Sequence, residues 1–183
     1  MSSFLLLLAL PASSAEFETL EVSSADGVYR VEVVVVLDVP VEPVRRVLTD
    51  YDHLWWITGA IKTSQHLDSP TEGVHTVFTE SRVCFLFFCK TIEQVQRVDE
   101  TNPLHIVSRA LPEYSDVKRS EAHWILEPLD GEQRTRMHWT LEMEPDFFIP
   151  PLIGPSVVKD ALLEEGQASA RGIEKLARER MNR

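Results

Sequence analysis

Residues 155–183 read PSVVKDALLEEGQASARGIEKLARERMNR, which is the pattern of one long amphipathic helix. Apolar side chains recur at helical spacing along one stripe, and Ser156 stands where it can cap the first turn. The stripe consists of Val158, Ala161, Leu162, Ala170, Ile173, Leu176 and Ala177. At about 1.5 Å per residue, a helix from Ser156 to Met181 would extend roughly 40 Å, enough to cross a whole domain.

Small residues interrupt the middle of this stripe: Gly166, Ala168, Ser169, Ala170 and Gly172. Each glycine weakens a helix by about 1 kcal/mol relative to alanine, so another part of the molecule must approach this segment closely. That part is either a packed sheet or a ligand whose cavity has the helix as its floor. The sequence leaves both alternatives open.

The composition is that of one globular domain. The chain has 183 residues, of which 44% are hydrophobic and 26% charged, so it can bury a sizeable core. The formal net charge of -11 opposes binding to nucleic acid, whose phosphates attract Lys and Arg. After the N-terminal segment no run of 18 apolar residues occurs, so no membrane-spanning helix is expected in the mature chain.

The first 15 residues resemble a secretory signal peptide that lacks its basic front. Phe4–Leu10 is a short apolar run, and Ser13–Ala15 supplies the small residues that a signal peptidase requires. A buried first strand is the alternative interpretation. Export would place the protein in the periplasm or outside the cell, with residues 16–183 as a single mature domain.

The body of the chain alternates strands with short turns. Val28–Val39 is the clearest strand, and Pro40 and Pro43 then open a short helix that carries Val44, Val47 and Leu48 on one side. A second short helix or turn contains Trp55 and Trp56. Six strands follow: Ile61–Leu67, Val74–Val83, Lys90–Val98, Leu104–Leu111, Val117–Leu126 and Arg134–Met143. These elements predict an α+β domain with a seven-stranded antiparallel sheet in the order β-α-α-β6-α.

The last two strands predict a hairpin whose two-residue turn is Asp130-Gly131. In that register apolar residues meet on one face and acids meet bases on the other. The predicted partners are Trp124 with Met137, Leu126 with Thr135, Ala122 with Trp139, Glu127 with Arg134, Arg119 with Glu142, and His123 with His138.

This order of elements resembles the START-like superfamily, which includes polyketide cyclase/dehydrase and coenzyme Q-binding proteins. The resemblance covers the chain from Val28 onward and is carried by Asp38–Val44 leading into Leu48–Tyr51, by Trp124–Pro128, and by Ile149–Pro151. It implies a helix-grip fold, in which a curved antiparallel sheet wraps around the long C-terminal helix. It also implies a hydrophobic cavity between them, where the small residues of the helix would leave room.

The stretch Cys84-Phe-Leu-Phe-Phe-Cys89 predicts a reversal of the chain. In a continuous strand the two cysteines would lie about 17 Å apart, whereas a disulfide needs Cα atoms within about 7 Å. A single strand from Val74 to Val98 would also be far longer than usual. A disulfide at a hairpin tip is therefore feasible, with the aromatic residues as a cavity rim or a membrane-facing tip. The alternative is that the aromatic residues fold back into the core and the cysteines stay reduced.

Aromatic residues supply further candidates for ligand contact. Trp55-Trp56 and Phe147-Phe148 could flank one opening, although ordinary core packing explains them equally well. The hairpin register favours core packing for Trp124 and Trp139. The full set of candidate ligand-binding residues is Trp55, Trp56, Phe78, Phe85, Phe87, Trp124, Trp139, Phe148, Leu162, Gly166 and Ser169.

Little in the sequence indicates catalysis. It contains no nucleophile elbow, P-loop or dinucleotide-binding glycine motif, so no cofactor is expected. Its six histidines do not have the spacing of a metal site, and no metal is expected. Glu80 and Glu93 interrupt apolar strands and are the candidates for an acid or a base. The pattern of Val74–Val83 does not say which face points inward.

The sequence therefore predicts an exported protein that binds a hydrophobic small molecule, such as a lipid, an isoprenoid quinone or a polyketide-like ring system. Transient contact with a membrane is compatible with that role. Two alternatives stay open: a cyclase or dehydratase that uses the same pocket, and a protein-interaction module that uses the aromatic hairpin tip. The oligomeric state is not predicted.

Overall fold

The computed structural model describes residues 15–85, 88–148 and 155–182, and these ranges contain eight β-strands and two α-helices. The strands are β1 (Glu16–Ala25), β2 (Val28–Leu37), β3 (Ile61–Thr71), β4 (Val74–Phe85), β5 (Phe88–Asn102), β6 (His105–Ala110), β7 (Val117–Leu129) and β8 (Arg134–Pro145). The helices are α1 (Val41–Leu48) and α2 (Pro155–Met181). The secretory signal predicted for residues 1–15 and the proline-rich segment Ile149–Pro151 lie almost entirely outside the described residues.

All eight strands form one curved antiparallel sheet in the order β1-β2-β8-β7-β6-β5-β4-β3. The main core lies between this sheet and α2, where Val33 and Val35 of β2 belong to the same buried cluster as Ala170 and Ile173 of α2. This arrangement is the predicted helix-grip fold. Within the described ranges, neither helix combines the length and apolar character needed to cross a membrane.

The sheet has one strand more than the seven predicted, because residues 16–25 form β1 at its edge. A bulge between Phe17 and Thr19 interrupts the pairing of β1 with β2. As a result Phe17 and Leu20, three positions apart, both pack against the main core. The bulge breaks the period of two by which a strand is found in a sequence.

The turn between β7 and β8 has four residues, 130–133, and not the predicted two, since Leu129 and Arg134 form the last pair of the ladder. Three of its residues have positive φ: Asp130 at 51°, Gly131 at 66° and Glu132 at 70°. Asp130-Gly131 therefore does mark the turn, but Glu132 also adopts the left-handed region, which two-residue turn patterns do not anticipate.

The predicted register of this hairpin was wrong by two residues on β8. The observed partners are Trp124 with Trp139, Leu126 with Met137, Ala122 with Leu141, Glu127 with Arg136, His123 with Thr140, and Arg119 with Glu144. Because side chains alternate with a period of two, a shift of two residues leaves every side chain on its predicted face. Trp124 and Trp139 therefore still share the inner face, now directly opposite each other.

β4 and β5 form the reversal that the two cysteines predicted. Cys84 lies opposite Cys89 with their Cα atoms 4.0 Å apart, and a disulfide joins them. Of the aromatic stretch between them, residues 86 and 87 and the side chain of Phe85 are outside the described part of the chain. Just below the tip, Val83 and Phe88 pack with Val158, so the hairpin supports the N-terminal half of α2.

α1 buries Val44, Val47 and Leu48 as predicted. α2 begins at Pro155, so Ser156 lies inside the first turn and is not the N-cap.

Ion pairs hold the C-terminal end of α2. Arg178 donates hydrogen bonds to Glu174, at 2.8 Å, and to Asp38 at the end of β2, at 3.2 Å. Arg180 donates to the carboxylate of Asp50 after α1, at 2.5 Å. Glu174 is only 1% exposed, so its pairing with Arg178 satisfies a carboxylate that would otherwise be costly to bury.

Two glycines of α2 allow close approach by other elements. A Cβ at Gly166 would lie 3.3 Å from Val33 Cγ2 on the sheet. A Cβ at Gly172 would lie 1.9 Å from the carbonyl oxygen of Ile57, in the segment between α1 and β3. The small residues of the helix thus accommodate the sheet at one position and a backbone carbonyl at another.

We expect Gly172→Ala to lower the free energy of unfolding by about 1–3 kcal/mol, because the new methyl group would force Ile57 and α2 apart. A glycine-to-alanine change in an unobstructed helix would instead stabilise it by about 1 kcal/mol. Urea unfolding followed by circular dichroism measures the difference. Gly59→Ala in the adjacent loop is the control, since nothing lies within 4 Å of its added Cβ. A Gly172→Ala protein as stable as the wild type would contradict the close contact.

Candidate functional site

A cavity of about 230 Å³ lies between the inner face of the sheet and α2. Seven of the eight strands or their adjoining segments reach it, and its lining residues divide into three walls. The sheet contributes Val33, Ile61, Val77, Thr79, Ser81, Gln94, Gln96, Val98, Ile106, Ser108, Ser120, Ala122, Trp124, Met137, Trp139, Leu141 and Met143. The α2 wall consists of Gly166, Ser169, Ala170 and Ile173, and the third wall of Leu48, Tyr51, Leu54 and Ile57.

The sheet wall contains both polar and apolar side chains. Small hydroxyl and amide side chains come from β4, β5, β6 and β7: Thr79, Ser81, Gln94, Gln96, Ser108 and Ser120. β8 presents Met137, Trp139 and Met143, and Trp139 stacks on Trp124 of β7 with 6.5 Å between ring centroids and 19° between planes. The cavity can therefore contact a flat apolar surface of a ligand and also form hydrogen bonds with it.

Three of the four α2 residues in the cavity wall are small, and this leaves room for the cavity. Gly166, Ser169 and Ala170 face the sheet where larger residues would fill the space. Ile173 closes the cavity toward the C-terminal end of the helix. The sequence left open whether a packed sheet or a cavity lies against the small residues of α2. Both are observed, because Gly166 touches the sheet and also borders the cavity.

The third wall includes the segment from Leu54 to Ala60, here called the 54–60 loop. Leu54 and Ile57 point into the cavity, whereas Trp55 and Trp56 are 43% and 44% exposed. Trp56 stacks on His53 with 4.4 Å between ring centroids. One short turn thus has a cavity side and an exposed aromatic side.

A carboxylate fastens the 54–60 loop to α2. Thr58 donates a hydrogen bond of 2.5 Å to Glu165, and Ser169, a residue of the cavity wall, lies 3.4 Å from the same oxygen. Burial raises the pKa of Glu165, although the hydrogen bonds from Thr58 and Ser169 act in the opposite direction. The contact lies beside the carbonyl of Ile57 that approaches Gly172, so the loop is joined to the helix at two neighbouring points.

A second partly buried carboxylate lies behind Tyr51. Glu100 accepts hydrogen bonds from Arg45, at 2.8 Å, and from Tyr51, at 3.2 Å, and lies 2.9 Å from His75 Nε2. His75 is in turn 3.2 Å from His66. Burial and the Glu100 carboxylate raise the pKa of the Tyr51 phenol. Tyr51 borders the cavity but Glu100 does not, so this cluster joins α1 to β4 and β5 behind the wall.

Four of the residues predicted to bind ligand border the cavity: Trp124, Trp139, Gly166 and Ser169. Trp55, Trp56, Phe78, Leu162 and Phe148 lie outside its lining, and Phe148 is 74% exposed. Leu162 packs between the two hydrophobic clusters. Phe87 is outside the described residues, as is the side chain of Phe85.

Glu80 and Glu93, the predicted acid or base candidates, lie opposite each other on β4 and β5. Neither borders the cavity, because their strand neighbours Thr79 and Gln94 face it instead. The inner face of β4 carries Val77, Thr79 and Ser81, so the ambiguity left by its mixed pattern is settled by the fold.

Three histidines on the outer face of the sheet pair with carboxylates or with each other. His105 lies 3.0 Å from His123, which is 2.8 Å from Glu121, and His138 is 3.0 Å from Glu32. Among the described residues, no three His, Cys, Asp or Glu side chains converge so as to hold a metal ion.

Four polar residues of the sheet that line the cavity, here called the polar wall, were not identified from the sequence. Thr79, Gln96, Ser108 and Ser120 are scattered over 42 positions and each is common on an exposed strand face. The only local signal is their alternation with charged neighbours, such as Arg97 beside Gln96 and Arg109 beside Ser108. A charged residue that must face solvent leaves the small polar residue next to it on the inner side.

The family comparison agrees with the fold. The family described as polyketide cyclase / dehydrase and lipid transport matches residues 29–179, which is most of the chain. No curated protein matches the chain in sequence.

Solved structures share the fold at low sequence identity. The Zhui aromatase/cyclase from Streptomyces sp. R1128 has a TM-score of 0.68 and 19% identity, covering 84% of this chain and 96% of that one. A START superfamily protein from Mycobacterium smegmatis has a TM-score of 0.67 and 16% identity, covering 82% and 97%. A STAR-related lipid transfer protein from Xanthomonas axonopodis has a TM-score of 0.57 and 16% identity, covering 90% and 99%.

A curved sheet that wraps around a long C-terminal helix, with a cavity between the two, defines a START-like helix-grip protein. The chain belongs to the polyketide cyclase / dehydrase and lipid transport family of that superfamily, as its sequence resemblance indicated.

We expect the stability of the wild type relative to Glu165→Gln to fall as the pH rises. Because its pKa is raised from 4.5, Glu165 binds a proton more tightly in the folded protein than in the unfolded chain. The resulting stabilisation is fully present below pH 4.5 and is lost as the pH rises through the folded-state pKa. Urea unfolding of both proteins between about pH 4 and pH 8 measures the difference.

Glu164→Gln is the matched control, since the neighbouring Glu164 side chain is exposed on the same helix. Its stability difference from the wild type should show no such fall with pH. A constant difference between wild type and Glu165→Gln, or one that grows in favour of the wild type, would show that Glu165 is not held in a desolvated position.

Proposed function

We propose that the protein is exported and binds a hydrophobic small molecule in the cavity between the sheet and α2. The observation that carries this proposal is the cavity itself, since about 230 Å³ of space lies where a core would otherwise be packed. Protein interiors are normally close-packed, and a void of this size costs stability. A ligand that fills it would recover the lost contacts.

The size of the cavity favours a compact ligand. A cavity of about 150 Å³ lined by apolar groups suffices for benzene, so 230 Å³ suits a molecule of one or two rings. A lipid with two acyl chains or an isoprenoid tail would need the walls to move apart. A polyketide-like ring, or the ring of a quinone with its tail outside, fits the space best among the ligands that the sequence suggested.

The lining favours binding over catalysis. Glu165 and Glu100 lie behind the cavity wall, and Glu80 and Glu93 are on strand positions that do not border it. The groups that do reach the space are hydroxyls, amides and apolar side chains, which can position a ligand but are poor acids and bases near neutral pH. A cyclase or dehydratase is the alternative, supported by Tyr51, which borders the cavity and is hydrogen-bonded to Glu100.

Export is supported by the disulfide between Cys84 and Cys89, because such bonds persist in oxidising compartments. The exposed Trp55 and Trp56 support transient contact of the 54–60 loop with a membrane during ligand exchange, since indole rings favour the interface between water and lipid. Both roles extend the proposal beyond the cavity.

Mass spectrometry of compounds released by denaturing the native protein tests the proposal. We expect a stoichiometric small molecule to be released from the wild type and to be lost from Ala122→Leu, whose larger side chain would occupy the cavity. Ala168→Leu is the control because Ala168 is on the exposed side of α2. If Ala122→Leu does not fold by circular dichroism, Met143→Phe narrows the cavity from β8.

Equilibrium binding of added compounds extends the test to protein stripped of its ligand. Retention of the same ligand by both cavity-filling variants would show that it binds elsewhere. A wild-type protein that releases no compound and binds no hydrophobic probe would refute the binding role.

A further inference from the structure

We propose that the cavity selects an apolar ring ligand that carries a hydrogen-bond donor and an acceptor on one edge, recognised by Thr79, Ser108 and Ser120. This inference rests on the proposed binding function and specifies the chemistry of the ligand. It follows from the hydrogen bonds within the polar wall.

The polar wall is a row of buried groups on adjacent strands. Thr79 on β4, Ser108 on β6 and Ser120 on β7 are 8%, 3% and 8% exposed and border the cavity. Gln96 on β5 lies between Thr79 and Ser108. Four neighbouring strands thus place polar atoms on one side of a space whose other sides are mainly apolar.

Gln96 forms hydrogen bonds with two hydroxyl groups. Its Nε2 donates a 3.0 Å hydrogen bond to Thr79 Oγ1, and its Oε1 accepts a hydrogen bond from Ser108. Thr79 Oγ1 therefore accepts a hydrogen bond from Gln96. The Thr79 hydroxyl can still donate its proton to another group. Ser108 has already given its proton to Gln96 and can only accept.

The pair offers one donor and one acceptor whichever way the Gln96 amide is turned. With the amide reversed, Thr79 would donate to Oε1 and keep only lone pairs, while Ser108 would accept from Nε2 and keep its proton. The roles are exchanged but not lost. A ligand that satisfies both hydroxyls must consequently supply both an acceptor and a donor.

Ser120 adds a hydroxyl without a partner. Within the part of the chain that the structure describes, its Oγ forms no hydrogen bond, although more than nine-tenths of the residue is buried and it borders the cavity. The Ser120 oxygen itself is not fully buried, so a molecule in the cavity can reach it. The position of Ser120 beside the row of Gln96 hydrogen bonds makes it a third contact for a polar ligand edge.

The apolar part of the ligand is defined by lining residues of β7 and β8. Trp124 and Trp139 present stacked indoles, and Met137 and Leu141 extend the same wall. Indole rings bind flat apolar surfaces well. A one- or two-ring molecule placed against them would turn one edge toward the polar row.

Three probes with one ring skeleton test this inference by isothermal titration calorimetry on the full-length protein stripped of bound compounds. Tetralin has no polar group, 1-tetralone has an acceptor only, and 6-hydroxy-1-tetralone has an acceptor and a donor. We expect affinity to rise in that order, with the last compound binding roughly tenfold or more tightly than tetralin, since each neutral hydrogen bond contributes a few-fold.

Ser120→Ala and Thr79→Val are the test variants. Each should reduce the preference for 6-hydroxy-1-tetralone over tetralin several-fold. Thr76→Val is the matched control, because Thr76 is on the same strand as Thr79 but does not border the cavity. Ser120→Ala removes an unpartnered hydroxyl, so its folding should not be impaired.

Equal affinity of the wild type for the three probes, or a preference that both variants retain, would overturn the inference and leave the binding function standing. Binding of none of the probes, together with release of no compound from the native protein, would overturn both.

Discussion

The distance between α2 and the inner face of the sheet is the constraint on which the rest of the structure depends. Gly166 brings the helix so close to β2 that an added Cβ would lie 3.3 Å from Val33. Next to that contact, Ser169 and Ala170 are too short to fill the space in front of β5, β6 and β7. The same small side chains therefore permit the contact and create the cavity beside it.

A helix that borders a void needs support at its ends. At the N-terminal half, Val158 packs with Val83 and Phe88 of the hairpin that the disulfide closes. At the C-terminal end, Arg178 and Arg180 join the helix to the residues that flank α1. Both attachments lie away from the cavity. Because the ends of α2 stabilise its packing on the sheet, the middle of the helix can keep its small residues.

The sequence predicted the elements whose signal is local and periodic. The α2 stripe, the β2 strand, the buried face of α1 and the cysteine reversal were all found in this way, and the cysteines lie opposite each other on β4 and β5. Trp124 and Trp139 were assigned to the correct face even though their register was wrong, because a shift of two residues preserves the face.

What the sequence did not predict depends on irregularity or on contacts between distant residues. The bulge at Phe17 hid β1, and the positive φ of Glu132 lengthened a turn that appeared to have two residues. The contact of Ile57 with Gly172 joins positions 115 residues apart, and no local pattern specifies a carbonyl against a helix. The polar wall was missed for the same reason, since its members become neighbours only when β4 to β7 pair.

The polar wall also distinguishes a binding cavity from a packing defect. An accidental void would be lined by small apolar side chains. A lining without polar groups has the lowest free-energy cost, because no buried group then lacks a hydrogen bond. Here Gln96 and two hydroxyls face the space, and their mutual hydrogen bonds offset part of the cost of burying them. Ser120 also borders the cavity and has no hydrogen-bond partner among the described residues. Replacement of these residues by apolar ones of similar size would stabilise the empty protein, so their presence supports the proposal of a ligand with a polar edge.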